Sequence, residues 1–82
     1  MEKLKYVRLN GSDEIIIFPI RINHSEFRGW NVISAGFCII KENKVECFGE
    51  SFSLDLKAKP AEDTQLATEQ VFGIEAMLDL LN

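Results

Sequence analysis

Val32-Ile33-Ser34-Ala35-Gly36-Phe37-Cys38-Ile39-Ile40-Lys41, then Glu42-Asn43, then Lys44-Val45-Glu46-Cys47-Phe48-Gly49-Glu50-Ser51-Phe52 is the stretch whose reading decides the fold. Two runs rich in β-branched and aromatic residues flank a short polar pair, the pattern of a β-hairpin. Asn43 tolerates positive φ, although Glu-Asn is a weaker turn pair than Asn-Gly. A two- or four-residue loop sets Ile40 opposite Val45, Cys38 opposite Cys47, Gly36 opposite Gly49 and Ser34 opposite Ser51. Side chains alternate with period two, so these four pairs share one face. The other face pairs Ile39 with Glu46, Phe37 with Phe48 and Ala35 with Glu50. The first face is small and apolar, suited to a helix, and the second carries two aromatics edged by charge.

Upstream, Leu4 to Leu9 alternates and reads as an exposed or edge strand. Asn10-Gly11-Ser12-Asp13 is a turn signal, and Ile15 to Phe18 reads as a short strand buried on both faces, which Pro19 either ends or marks as an edge. Residues 21–31 are polar and without a clean period, predicting a structured loop or one helical turn capped by Asn23 or Ser25. Downstream, Pro60 suits a first helical position, and Glu62 and Asp63 suit the positive end of the helix dipole. Leu66, Ala67, Gln70, Val71 and Ile74 make a helical stripe, with Gly73 placed to end the helix. Ile74, Met77, Leu78 and Leu81 repeat at helical spacing. Two helices are expected, 60–72 and 74–81. The fold class expected is α+β: a four-stranded, mostly antiparallel sheet with a C-terminal helix or helix pair on one face.

The 82 residues make one domain, 1–82, with a β-rich part over 1–58 and a helical part over 60–81. Hydrophobic residues at 46% and charged residues at 27% exclude a disordered chain. A net charge of −4 argues against nucleic acid as a partner, which requires a basic surface. The longest apolar run, 15–20, is too short for a membrane span, and Met1 to Lys5 lacks a signal-peptide core, so a cytoplasmic protein is expected. A domain this small has a thin core, and self-association is one common remedy. A homo-oligomer joined through Ile74, Met77, Leu78 and Leu81 is therefore expected.

No chemistry stands out by motif. His24 is the only histidine, flanked by Asn23, Ser25 and Glu26; it suits a general base or, more plainly, a hydrogen-bonding brace of its loop. Cys38 and Cys47 as cross-strand neighbours suit a bridge or, in a reducing cytosol, two buried thiols. Two cysteines and one histidine fall short of a four-ligand zinc site, so no metal and no cofactor are expected. Gly49-Glu50-Ser51 lacks the second glycine of a nucleophile elbow. Lys3, Lys5 and Arg8, or Lys57 and Lys59, are candidate anion contacts or solvated surface. Gly49 permits close backbone approach, while Glu50, Ser51 and Ser53 supply an acceptor and hydroxyls. That strand end reads as a pocket wall or as a bulge whose serines satisfy backbone groups.

The strings Phe18-Pro19, Asn23-His24-Ser25-Glu26, Ser34-Ala35-Gly36-Phe37, Cys47-Phe48-Gly49-Glu50-Ser51-x-Ser53-Leu54 and Lys57-x-Lys59-Pro60 resemble small uncharacterised proteins encoded by tailed phages and prophages. The resemblance spans residues 4 to about 72, and Asp55 stands where that pattern has Gly. It implies an accessory protein that interferes with a host protein or sequesters a nucleotide signal. Together these readings predict a non-enzymatic binding module for a host protein or a small polar ligand. His24, Ser51 and Ser53 would hydrogen-bond the ligand, Trp30 or Phe48 would stack, Arg28 would meet a phosphate, and Glu50 would accept a donor. The alternatives are a small enzyme using His24 with Glu50 as acid and base, and an assembly protein joined through its C-terminal helix.

Overall fold

The computed structural model describes residues 2–73. The proposed helix 74–81 and the interface residues Ile74, Met77, Leu78 and Leu81 lie outside the described residues. Strands β1 (Lys3–Leu9), β2 (Ile15–Phe18), β3 (Val32–Lys41) and β4 (Lys44–Phe48) form an antiparallel sheet in the order β2-β1-β3-β4. A two-stranded ribbon of β5 (Glu50–Ser51) and β6 (Leu56–Lys57) follows, then helix α1 (Pro60–Phe72). The chain is α+β, as expected.

Glu42 and Asn43 turn the central hairpin with φ of 48° and 60°, the two positive values of a type I′ turn. Its register is Phe37↔Phe48, Cys38↔Cys47, Ile39↔Glu46 and Ile40↔Val45, so the two thiols are cross-strand neighbours, both buried and unbridged. Pairing then stops short of the expected Gly36–Gly49, Ala35–Glu50 and Ser34–Ser51 pairs. Gly49 turns at φ 81°, and Glu50 and Ser51 pair with Lys57 and Leu56 instead of β3. Gly36 marks the junction: a Cβ there would drive into the Phe48 carbonyl and come within 3.3 Å of the Ala58 methyl. The glycine lets the departing chain cross close over β3.

Strand β1 corrects the edge assignment. It lies between β2 and β3, with Tyr6 and Val7 fully buried. Polar Arg8 in its pattern suggested an exposed strand, but Arg8 is buried against acidic partners. The short run β2 is instead one of the two edge strands, and Pro19 follows its last residue where a ladder donor would be missing.

The sheet separates two apolar clusters. On the helix side Tyr6, Ile15, Cys38, Val45, Cys47 and Ala67 pack together, and on the loop side Val7, Phe18 and Ala35 pack with Phe27, Leu54 and Leu56. The stripe expected on α1 is rotated. Asp63, Ala67 and Thr68 are its buried residues, whereas Val71 is 43% exposed. Polar side chains turn inward because they complete sheet edges. Thr64 and Thr68 hydroxyls accept the Cys47 and Val45 amides at 2.9 and 3.0 Å on edge strand β4. The Gln70 amide both accepts from and donates to the backbone of Ile15 on the opposite edge, β2. One helix thereby covers parts of both edges, which would otherwise invite pairing with another chain. Gly73 ends it at φ 91°.

Candidate functional site

The loop face of the sheet carries the aromatic side of the hairpin, and two segments close over it. After Pro19 the chain enters a 3₁₀ turn, His24–Phe27, preceded by Asn23. Phe18 and Phe27 rings meet at 4.7 Å, and Phe27 meets Trp30 at 5.3 Å, so these aromatics anchor the loop in the apolar cluster. From the other side Gly49 to Ser53 returns across β3. Between the two segments opens a cavity of about 540 Å³. Its floor is Phe37, its near walls are Lys5 and His24 with Asn23 and Ser25, and its far wall runs from Gly49 through Glu50 to Ser53. That size is within the range of small-molecule sites.

His24 is buried, and its Nε2 lies 2.9 Å from the Gly36 carbonyl oxygen. A carbonyl only accepts, so Nε2 carries the proton. Burial lowers the pKa of the ring and outweighs the Gly36 bond, while the Lys5 charge lowers it further. The imidazole is thus neutral at pH 7, held edge-on to Phe18 and Phe37 with centroids at 5.5 and 5.8 Å. Ser51 is buried too, and its Oγ accepts the Leu54 amide, closing the 51–55 turn. Within that turn Asp55 has φ 54°, the left-handed region that favours glycine.

Of the residues singled out by sequence, His24, Glu50, Ser51 and Ser53 line the cavity. Arg28, Trp30 and Phe48 do not. Arg28 donates to the Ser53 carbonyl at 2.9 Å and lines a neighbouring groove with Gly29 and Leu54. Trp30 is 53% exposed and packs edge-on against Phe27, and Phe48 sits beside Phe37 at 6.2 Å, neither of them lining the cavity. The sequence alone does not place Lys5, Phe37 and Phe52 there, and it marks Asn23 and Ser25, which also line the cavity, only as caps of their loop. Lys5 pairs across the ladders with both Phe37 and Phe18, a juxtaposition made by contacts distant in sequence. Phe52 is 88% exposed at the rim.

No family model, no curated protein and no solved structure matches this chain. The residues themselves therefore carry the functional reading.

A second polar cluster lies on the helix face and is closed. The Tyr6 hydroxyl donates to Asp63, Arg8 Nη1 lies 3.0 Å from Asp63 Oδ1, and Arg8 Nη2 lies 2.8 Å from Asp13. Asp63 also accepts the Lys59 amide at 2.9 Å, so it fixes the start of α1. Arg8 is accordingly not an anion contact. Burial, with the Asp63 bond and charge, raises the Tyr6 pKa, and burial pushes the thiols of Cys38 and Cys47 up to about 11 and about 12. Protonated thiols are poor nucleophiles and poor metal ligands. Among the described residues no group of three or more His, Cys, Asp and Glu is placed to hold a metal ion, and no helix is long and apolar enough to cross a membrane.

Proposed function

We propose that this chain is a non-enzymatic binding module, of the phage or prophage accessory kind its strings resemble, that holds a small polar ligand in the cavity between the His24 turn and the Gly49–Ser53 segment. The observation that carries this reading is convergence. Two segments far apart in sequence meet over Phe37 and present Asn23, Ser25, Glu50 and Ser53 to one space. An aromatic floor with a few convergent polar groups is the usual make-up of a ligand site.

His24 and Ser51 build the walls rather than react. The Nε2 proton of His24 is committed to Gly36 and the Ser51 oxygen to Leu54, so both brace the loops that shape the cavity. An acid/base role for His24 with Glu50 has no hydrogen bond between the two in its favour. The ligand-facing groups are instead Glu50, Ser53, Ser25 and Asn23. Arg28 acts one step back, holding the Ser53 carbonyl and with it the rim.

Native mass spectrometry of freshly purified protein tests the reading. We expect a noncovalent small-molecule adduct that is absent from Ser53→Trp, whose large side chain fills an exposed part of the cavity without entering either core. An adduct retained in Ser53→Trp, or bare protein from both preparations, would overturn it.

A further inference from the structure

The cavity holds two opposite charges that do not neutralise each other. Lys5 and Glu50 both line it and both are half-buried. Every ion pair among the described residues belongs to Arg8, on the opposite face of the sheet. Lys5 Nζ donates once, to the Ile22 carbonyl at 2.9 Å, which leaves two of its three protons for a ligand. The Glu50 carboxylate has no hydrogen-bond or ion-pair partner among the described residues, although the residue paired with Glu50 across the ribbon is Lys57. The apolar part of the cavity is aromatic: Phe37 forms the floor, with Lys3 Nζ 4.6 Å from its centroid, and Phe52 stands at the rim with almost nothing packed on it.

These facts constrain the ligand's charge. A simple anion would meet Lys5 but be repelled by Glu50, and a simple cation would face the reverse. A neutral ligand would take water from both charges and give neither a counterion, a costly arrangement in a partly enclosed site. A molecule with one positive and one negative group answers both walls at once. The aromatic floor and rim add a preference for a flat side chain, which ring–ring contact rewards.

We propose that the cavity is a site for a free α-amino acid zwitterion with an aromatic side chain, its ammonium group on Glu50, its carboxylate on Lys5 and its ring between Phe37 and Phe52. This assignment rests on the cavity being the binding site, and it names the ligand class that the site takes. The polar wall of Asn23 and Ser25, next to Lys5, supplies further donors for the carboxylate.

The experiment is a titration of the full chain, followed by amide chemical shifts, with L-phenylalanine and two analogues that each lack one charge. 3-Phenylpropionate keeps only the carboxylate, and phenethylamine keeps only the ammonium. We expect L-phenylalanine to shift the amides of Asn23, Ser25, Gly49 and Glu50 and to bind at least tenfold tighter than either analogue. Glu50→Gln should make L-phenylalanine and 3-phenylpropionate bind alike, and Lys5→Gln should make L-phenylalanine and phenethylamine bind alike. That crossed pattern cannot arise from a variant that merely loosens the fold. Equal binding of L-phenylalanine and either analogue to the unaltered protein would overturn the zwitterion assignment while leaving the cavity as the site. No shift at the cavity amides with any of the three compounds would also overturn it, and the mass-spectrometric comparison with Ser53→Trp then judges the cavity separately.

Discussion

The two faces of the sheet treat charge in opposite ways. On the helix face Arg8 is surrounded by Asp13, Glu62 and Asp63, and Tyr6 gives its proton to the same Asp63. The fully buried one of these carboxylates, Asp63, has its counterion within the fold. On the loop face Lys5 and Glu50 stand in one cavity unpaired, beside a histidine that burial keeps neutral. A buried pair that is complete fixes geometry, because removing either member strands the other. Charges left open in a concave site have no such role in the fold. The helix face accordingly explains why α1 docks in one position, and the loop face is where a function can reside.

Breaking the closed face should have the largest effect. Asp63→Ala removes the acceptor for Tyr6, one partner of Arg8 and the cap of the Lys59 amide in a single change. We expect a loss of about 3 kcal/mol or more in urea unfolding, a large share of the roughly 5–15 kcal/mol that holds a small domain. Arg8 keeps Asp13, which limits the loss. Glu50→Ala, by contrast, should leave the urea midpoint nearly unchanged, since the Glu50 carboxylate has no partner among the described residues. Equal losses from the two variants would erase the distinction between the faces.

That distinction was only half legible in the sequence. The hairpin followed from local information, because the turn pair and the period-two alternation together fix its register as far as Phe48. The segments that meet at the cavity, 23–25 and 49–53, were visible as clusters of polar residues. What escaped was set by contacts between distant parts of the chain. Arg8 in an alternating run reads as solvent-facing until Asp63, 55 residues later, is known to sit over it. Thr64 and Thr68 lie outside the stripe expected from Leu66, Ala67, Gln70, Val71 and Ile74, yet they complete the β4 edge. Lys5 enters the cavity only because β1 pairs with both β2 and β3, and nothing in Leu4–Leu9 by itself specifies a central strand. The departure of the chain at Gly49 was hidden for the opposite reason, since continued pairing suited the local pattern equally well.

The faces should also separate by pH. On the helix face burial raises the ionisation of Cys38 and Cys47 to about 11 and about 12, and Tyr6 is raised as well. An unfolded chain releases thiol protons near pH 8.5, so above that pH the folded chain binds more protons than the unfolded one, and stability falls as pH rises. On the loop face the sign is reversed. His24 has its pKa lowered, first by burial, so just below pH 6.5 the unfolded chain binds a proton that the folded chain does not. Stability there is lost as pH falls. Urea midpoints measured across both limits should show Cys38→Ala with Cys47→Ala flattening only the alkaline side. His24→Gln, which can still donate to Gly36, should flatten only the acid side. The three titrating groups of the helix face make the alkaline decline the steeper one. An unchanged acid slope in His24→Gln would show that this ring does not titrate with unfolding.

The smallest effect sharpens the comparison most finely, because it acts on the rim alone. Asp55 holds φ 54° in the turn that carries Phe52 and Ser53. A left-handed backbone costs most L-residues about 1–2 kcal/mol, whereas glycine adopts it freely but loses more freedom on folding. Aspartate tolerates that region better than alanine does, so Asp55→Gly should gain less than about 1 kcal/mol and Asp55→Ala should lose a comparable amount. The place to see this is hydrogen exchange. The Leu54 amide, bonded to Ser51 Oγ inside the turn, should exchange more slowly in Asp55→Gly through suppressed local opening. The Val45 amide, held by Thr68 on the other face, should keep its rate wherever it opens locally. If both amides slow together, the rim opens only when the whole domain does, and the two faces form one cooperative unit; if Leu54 alone slows, the cavity wall moves independently of the closed helix face.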